Sequence, residues 1–190
     1  SLDSLRLEGM ATTIYHLFED SVYQGRNLVS GDTISMKFDN QDLDHIFVNG
    51  GSRGTYIPDS TNGEVDGPVT YSSEDIEYDI LNEFMNLHGE ADIKYTNVNL
   101  TAGFINMEWN NNLLKAIPQS KRDSTYDFLI PTMIEAEREP LKGDSMTYNM
   151  ESRQGKVIKG KTKADDGYYH GQEIRNQDMD IFYAEDAVYT

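Results

Sequence analysis

The sequence predicts an all-β fold, a folded-over antiparallel β-jelly roll, and three observations carry that prediction. Short segments with alternating apolar and polar residues recur along the chain; Gly, Asn, Asp, Ser and Thr punctuate them every few residues; runs with the 3.6-residue spacing of a helix are scarce. The clearest strands are Thr33 to Phe38, His45 to Asn49, Asp75 to Ile80, Ala91 to Tyr95, Leu100 to Trp109 and Ser145 to Met150. Each presents one apolar and one polar face, as a half-buried strand must. In Leu100 to Trp109 the apolar positions change parity, from Leu100, Ala102 and Phe104 to Ile105, Met107 and Trp109. Gly103 at that change predicts a bulge or bend. The one helical candidate is Pro131 to Glu139, where Pro131 would open the helix and Glu135, Glu137 and Glu139 would crowd its early turns. Glutamates two apart also fit an edge strand or a loop, which is the preferred reading.

Internal similarity supports a sheet built from repeated units. Gly31 to Phe38, Ser73 to Ile80, Ala102 to Trp109 and Gly143 to Met150 superpose: a small or turn residue comes first, then an apolar residue, then an aromatic or Met two positions on. A polar turn and a second strand follow each copy, as in Ile46 to Gly51, Met85 to Gly89, Leu113 to Ala116 and Val157 to Gly160. The anchors Ile34, Ile76, Ile105 and Met146 are 42, 29 and 41 residues apart. A tight solenoid would hold its period better, so a jelly roll fits more comfortably. Pro58 to Pro68 reads as a long connection between two parts.

Charge excludes one class of function. The 190 residues carry 33 acidic and 16 basic side chains, a net charge of −17, which argues against a nucleic-acid partner. Twelve Tyr, seven Phe and one Trp are too many aromatics for a disordered acidic chain. No stretch approaches the ~20 apolar residues of a membrane-spanning helix, and Ser1 opens neither a charged nor an apolar leader region. The chain therefore reads as a soluble segment, cut from something longer or standing alone. Without cysteine, neither a disulfide nor a thiolate metal site is available.

No constellation has the spacing of an active site. His16, His45, His88 and His170 are isolated, Asp39, Asp42 and Asp44 lack the calcium-loop pattern, and Gly50 to Gly54 lacks the Lys-Ser/Thr of a phosphate loop and reads as a tight turn between strands. The acidic pairs Asp165-Asp166 and Glu185-Asp186 sit in polar turns, and Asn99-Leu100-Thr101 matches a glycosylation acceptor only as any three residues can. No catalytic residue, metal or cofactor is expected. What remains is the apolar face, in which Met36, Met85, Met107, Met146 and Met150 are adaptable fillers suited either to an ordinary core or to flexible apolar ligands. Arg153, Lys156, Lys159, Lys161 and Lys163 gather five cations within eleven positions, as a solvated strand face or as a rim for an anionic headgroup.

Several stretches resemble the periplasmic domain of the LptA/LptD (OstA-like, organic solvent tolerance) family of lipopolysaccharide transport and assembly. They are Tyr71 to Tyr78 with Leu87 to Tyr95 and Leu100 to Ile105, then Gly143 to Ile158 with Tyr168-Tyr169-His170-Gly171, and a further copy over Gly31 to Phe38 with Ile46 to Gly51. Together they cover most of residues 30–175, and Tyr148 to Ile158 is the most telling piece. The resemblance implies a V-shaped or taco-like jelly roll whose apolar cleft carries the acyl chains of lipopolysaccharide without chemistry. It implies lining by Ile34, Met36, Ile76, Tyr78, Ile93, Tyr95, Ile105, Met107, Trp109, Met146 and Tyr148, with the five basic residues as a headgroup rim. Partners implied are the lipid A acyl chains and other LptA/LptC-like domains stacked edge strand to edge strand, with an outer-membrane β-barrel following if the segment is excised. The place implied is the periplasm, beside the outer membrane. One elongated domain is expected over 1–190, with a repeat-like part at 1–66 and the strongest motifs at 67–190. The cysteines that flank this domain in LptD proteins are not found here. A structural or glycan-binding β-solenoid is the alternative; it would have an interior filled by side chains and no cleft. A β-helical lyase or hydrolase is the third reading and needs carboxylates and basic groups converging on one face.

Overall fold

The computed structural model describes residues 2–61, 67–120, 128–136, 138–164, 167–178 and 181–190. Their strands, in chain order, are β1 (Ser4–Glu19), β2 (Val22–Asp39), β3 (Asp42–Pro58), β4 (Val69–Asp79), β5 (Phe84–Tyr95), β6 (Val98–Glu108), β7 (Leu113–Ile117), β8 (Gln119–Ser120), β9 (Phe128–Leu129), β10 (Thr132–Glu135), β11 (Leu141–Lys142), β12 (Ser145–Asn149), β13 (Gln154–Ala164), β14 (Gly167–Asp178), β15 (Ile181–Glu185) and β16 (Val188–Tyr189). All but β8 and β9 belong to one sheet, in which every pairing is antiparallel. The chain meanders from β1 to β6; β6 then pairs with β10 through its first half and with β7 through its second. Next across the sheet come β11 beside β10 and β12 beside β7, and both meet β13; β14, with β15 and β16, closes the far edge. β3 pairs with β4 along its length, so one sheet continues across the connection between residues 1–66 and 67–190.

A single line of irregularities folds this sheet in two. The registers of neighbouring strands all shift at one level: between Glu8 and Ala11, Ser30 and Thr33, Asn49 and Ser52, Ser72 and Asp75, and His88 and Ala91. β1, β3 and β5 cross the line with a pair of residues at positive φ, Gly9-Met10, Gly50-Gly51 and Gly89-Glu90. β2, β4 and β6 cross it by changing which side-chain parity is buried, as at Ala102 and Gly103 in β6. Beyond β6 the line passes between β11 and β12 at Gly143-Asp144 and through β13 at Lys159, another positive φ. Bulges increase twist and bend a strand locally, so an aligned row of them is a hinge line that lets each long strand serve both halves of the roll.

The two halves face one another as leaves. Tyr15 and Tyr78, from opposite leaves, meet edge to face at 5.8 Å, and Tyr56 meets Trp109 at 5.1 Å. Between the leaves lies one continuous core that draws buried side chains from β1 to β14.

The structure bears out the strand-or-loop reading of 131–139 and revises two others. The candidate helix at 131–139 is strand β10 followed by a turn; Glu137 lies outside the described residues. Gly50-Gly51 is no turn between strands but lies inside β3 at the fold line. The strand from Leu100 ends at Glu108, and Trp109 opens a one-turn 3-10 helix.

Candidate functional site

The interior between the leaves is apolar because the fold line resets side-chain parity at the level where each strand changes leaf. Without that reset, β6 would bury Val98, Leu100 and Ala102 in one leaf and expose Ile105 and Met107 in the other. Of the eleven residues expected to line a cleft, Ile34, Ile76, Tyr78, Ile93, Tyr95, Ile105, Met107, Met146 and Tyr148 are buried in this interior, while Met36 and Trp109 pack against it half-buried. Val48, Leu87, Leu100, Leu114, Met85 and Met150 join them. These side chains pack against one another between the leaves.

A polar chain crosses this apolar interior. Asn27, 0 % exposed, donates Nδ2–H to the Tyr15 hydroxyl at 2.8 Å and accepts at Oδ1 from the Tyr71 hydroxyl. The Tyr71 and Tyr78 oxygens are 2.7 Å apart. Since the Tyr71 proton is directed to Asn27, Tyr78 donates to Tyr71, and that bond joins the two leaves. Burial pushes the Tyr15, Tyr71 and Tyr78 phenols well above their ordinary range, so they remain neutral donors. Burial, and then the nearby Glu135 carboxylate, push Tyr148 up to about 12. Sequence reasoning missed Tyr15, Asn27 and Tyr71 as a set. β1 has no clean alternation, and Asn27 carries no apolar signal, so nothing local marks them.

Lys156, Lys159, Lys161 and Lys163 lie on the outer face of β13, and Arg153 lies at its entry, where its guanidinium acts on the Tyr148 phenol. Lys156 pairs with Glu173 at 2.7 Å and Lys159 with Asp144 at 2.9 Å; Lys161 stands over the Tyr168 ring at 4.7 Å; Lys163 is exposed, and Arg153 occupies the β12–β13 turn at positive φ. Two open grooves mark the outer faces: one of about 810 Å³ with Thr147, Gln154, Lys156, Arg175 and Tyr183 in its walls, and one of about 420 Å³ with Thr12, Ser30, Arg53, Ser72 and Asp92. Among the described residues, no group of three or more His, Asp or Glu could hold a metal ion, and no helix is long and apolar enough to cross a membrane.

The two ends of the sheet are unusual for their apolar exposure. Among the described residues β1 pairs with β2 alone, and it exposes Met10, Ile14 and Phe18 at 86, 56 and 63 %. At the far end Tyr168, Tyr169, Tyr183, Val188 and Tyr189 are exposed.

Comparison with known proteins gives a likeness of fold. No protein-family model matches the chain, and no curated protein matches it. Among solved structures it is similar to LptH, described as the LptA homologous periplasmic component of the conserved lipopolysaccharide transport device from Pseudomonas aeruginosa, with a TM-score of 0.53 and 11% sequence identity over 67% of this chain and 96% of that one. At that identity the likeness shows a shared all-β, antiparallel jelly-roll fold.

Proposed function

We propose that the chain is a non-enzymatic carrier domain that takes the acyl chains of lipopolysaccharide between its two leaves during transport to, and assembly in, the outer membrane. The observation that carries this reading is the interior itself: a continuous apolar surface, rich in Met and Tyr, between two leaves of one sheet joined along one fold line. The fold shared with LptH, a component of a lipopolysaccharide transport device, supports it. Each CH₂ moved from water into such an interior is favourable by ~0.8 kcal/mol, so a few acyl chains offset both the parting of the leaves and the approach of an anionic lipid to a chain of charge −17.

The same reading places the domain in the periplasm beside the outer membrane, with residues 1–66 extending the sheet of 67–190. Its partners are LptA/LptC-like domains that add their strands at the open edges, and an outer-membrane barrel if the segment continues into one. A photo-crosslinking residue at Ile76, Met107 or Met146 should give lipopolysaccharide adducts, whereas one at Glu77 on the outer face should not. Equal adducts from both sets would overturn the assignment.

A filled interior is also what a structural or glycan-binding solenoid would have. Parallel stacked coils would build a solenoid, and the pairings among the described residues are antiparallel. Saccharide binding that persists after every acyl chain is removed, without interior adducts, would favour that second reading.

A further inference from the structure

The outer face of the roll holds a row of nitrogen-bearing side chains that the interior carrier does not use. Lys142 of β11 stands directly opposite Lys161 of β13, and Lys161 directly opposite His170 of β14. Burial alternation turns all three outward: Leu141 faces the core beside exposed Lys142, and Gly160 and Gly171 are buried beside Lys161 and His170. Neighbouring strands are about 4.8 Å apart, so the row spans roughly 10 Å.

Like charges placed directly opposite each other on a sheet are destabilising. Acidic side chains outnumber basic ones two to one in this chain, so neutralising the row would be easy. Along the same face, Lys159 pairs with Asp144, and Lys156 and Arg175 share Glu173. Among the described residues, no carboxylate meets Lys142, Lys161 or His170. The contact that Lys161 does make is with the ring of Tyr168, itself 46 % exposed.

We propose that Lys142, Lys161 and His170 bind a phosphoryl group carried on a saccharide headgroup. Three N–H donor groups across roughly 10 Å suit the three oxygens and the charge of about −1.5 to −2 of a phosphomonoester better than the two oxygens and single charge of a carboxylate. The exposed face of Tyr168 beside Lys161 offers a flat surface on which a sugar ring can rest. The row lies on the outer face, apart from the interior side chains that the carrier reading uses. Naming a lipopolysaccharide headgroup as the source rests on the carrier reading; phosphoryl binding by the row does not.

The test titrates the protein with the bis-phosphorylated glucosamine disaccharide left when all acyl chains are removed from lipid A. Its dephosphorylated counterpart and inorganic phosphate serve as separate probes. Calorimetry should show binding of the phosphorylated disaccharide that weakens at least tenfold in Lys142→Gln/Lys161→Gln and changes less than twofold in Lys37→Gln or Lys94→Gln. Circular dichroism and melting temperature verify that the variants fold. The proposal is overturned by no binding, by equal binding of the dephosphorylated sugar, by an unaltered affinity in the double variant, or by inorganic phosphate binding as tightly as the disaccharide, which would show an adventitious ion only. Because this probe has no acyl chain, its failure leaves the interior crosslinks as a separate test of the carrier reading.

Discussion

The phenolic oxygens of Tyr71 and Tyr78 meet at 2.7 Å across the space between the leaves, although both residues belong to β4. Seven residues apart on one strand, they face each other only because the fold line at Ser73 to Asp75 turns the strand from one leaf into the other. A strand thus clasps itself through its own bend. Opening the roll far enough to admit a lipid chain must break or bypass this clasp.

Removing the two hydroxyls should have unequal effects. Tyr78→Phe deletes a donor but leaves the Tyr71 proton on Asn27, a loss of about 1 kcal/mol. Tyr71→Phe orphans both the buried Asn27 Oδ1 and the Tyr78 hydroxyl, and each buried orphan costs about 1–3 kcal/mol. Urea unfolding of the two variants checks the ranking; Tyr78→Phe proving the more damaging would show that the clasp is assigned the wrong way round.

Alkaline pH should open the interior. Tyr15, Tyr71 and Tyr78 have folded-state pKa values raised by burial, and Tyr148 is raised to about 12, against 10.0 for an ordinary phenol. A raised pKa means that the fold favours the protonated phenol. This contribution is fully present below pH 10 and falls as pH climbs from 10 towards the folded-state values. The urea midpoint should therefore drop between pH 10 and about 12, with the phenolate absorbance of these four residues rising only as the protein unfolds. Phenolate formation by all twelve tyrosines at ordinary pKa, with the fold intact, would contradict it.

The fold line itself can be tested through glycine. Gly50 and Gly51 both have positive φ, which disfavours any Cβ by about 1–2 kcal/mol. At Gly51 a Cβ would meet open space, whereas at Gly50 it would run into the Asp32 carboxylate and lie 2.9 Å from the Asp32 Cβ. Gly50→Ala should thus lower the melting temperature clearly more than Gly51→Ala. Gly103→Ala would press on the Gln119 backbone and should be damaging without any φ strain.

That line also explains what was legible in the sequence. The four similar segments at 31–38, 73–80, 102–109 and 143–150 each begin at the fold line and run into the same leaf, on β2, β4, β6 and β12. The shared small residue is the corner, and Ile34, Ile76, Ile105 and Met146 are the first inward side chains after it. Alternation found half-strands because parity is reset, or carried over two inserted residues, at every crossing. Gly103 showed the reset since both halves of β6 are strongly apolar. β1 gave no such signal because it is an edge strand with apolar residues on both faces, and its inward Tyr15 looks no different from its outward Phe18 until the register with β2 is known.

Salt should separate the two binding modes. Intact lipopolysaccharide held by its acyl chains should bind with little dependence on ionic strength, because burial of CH₂ groups is unscreened. The acyl-free phosphorylated headgroup, held at exposed Lys142 and Lys161, should bind severalfold more weakly as salt is raised from low to moderate strength. Collapse of intact-lipid binding in moderate salt would mean that charge, not the interior, dominates.

The open edge at β1 should make the protein self-associate. Sixteen residues long, this strand pairs with β2 alone among the described residues and adds exposed Met10, Ile14 and Phe18 along its other edge, whereas isolated domains usually blunt such an edge with charge or proline. At the other end, the exposed Tyr168, Tyr169, Tyr183 and Tyr189 surround the short strands β15 and β16. Edge-to-edge addition of one copy's β1 to the far end of the next is a heterologous contact that need not close, so assembly should grow with concentration. Sedimentation should show species larger than the monomer as concentration rises, and Ile14→Lys with Phe18→Lys should return the protein to monomer without altering its melting temperature, since neither side chain enters the core. A wild-type chain that stays monomeric at high concentration, and that does not bind LptA-like domains, would show that the exposed strand serves some other purpose.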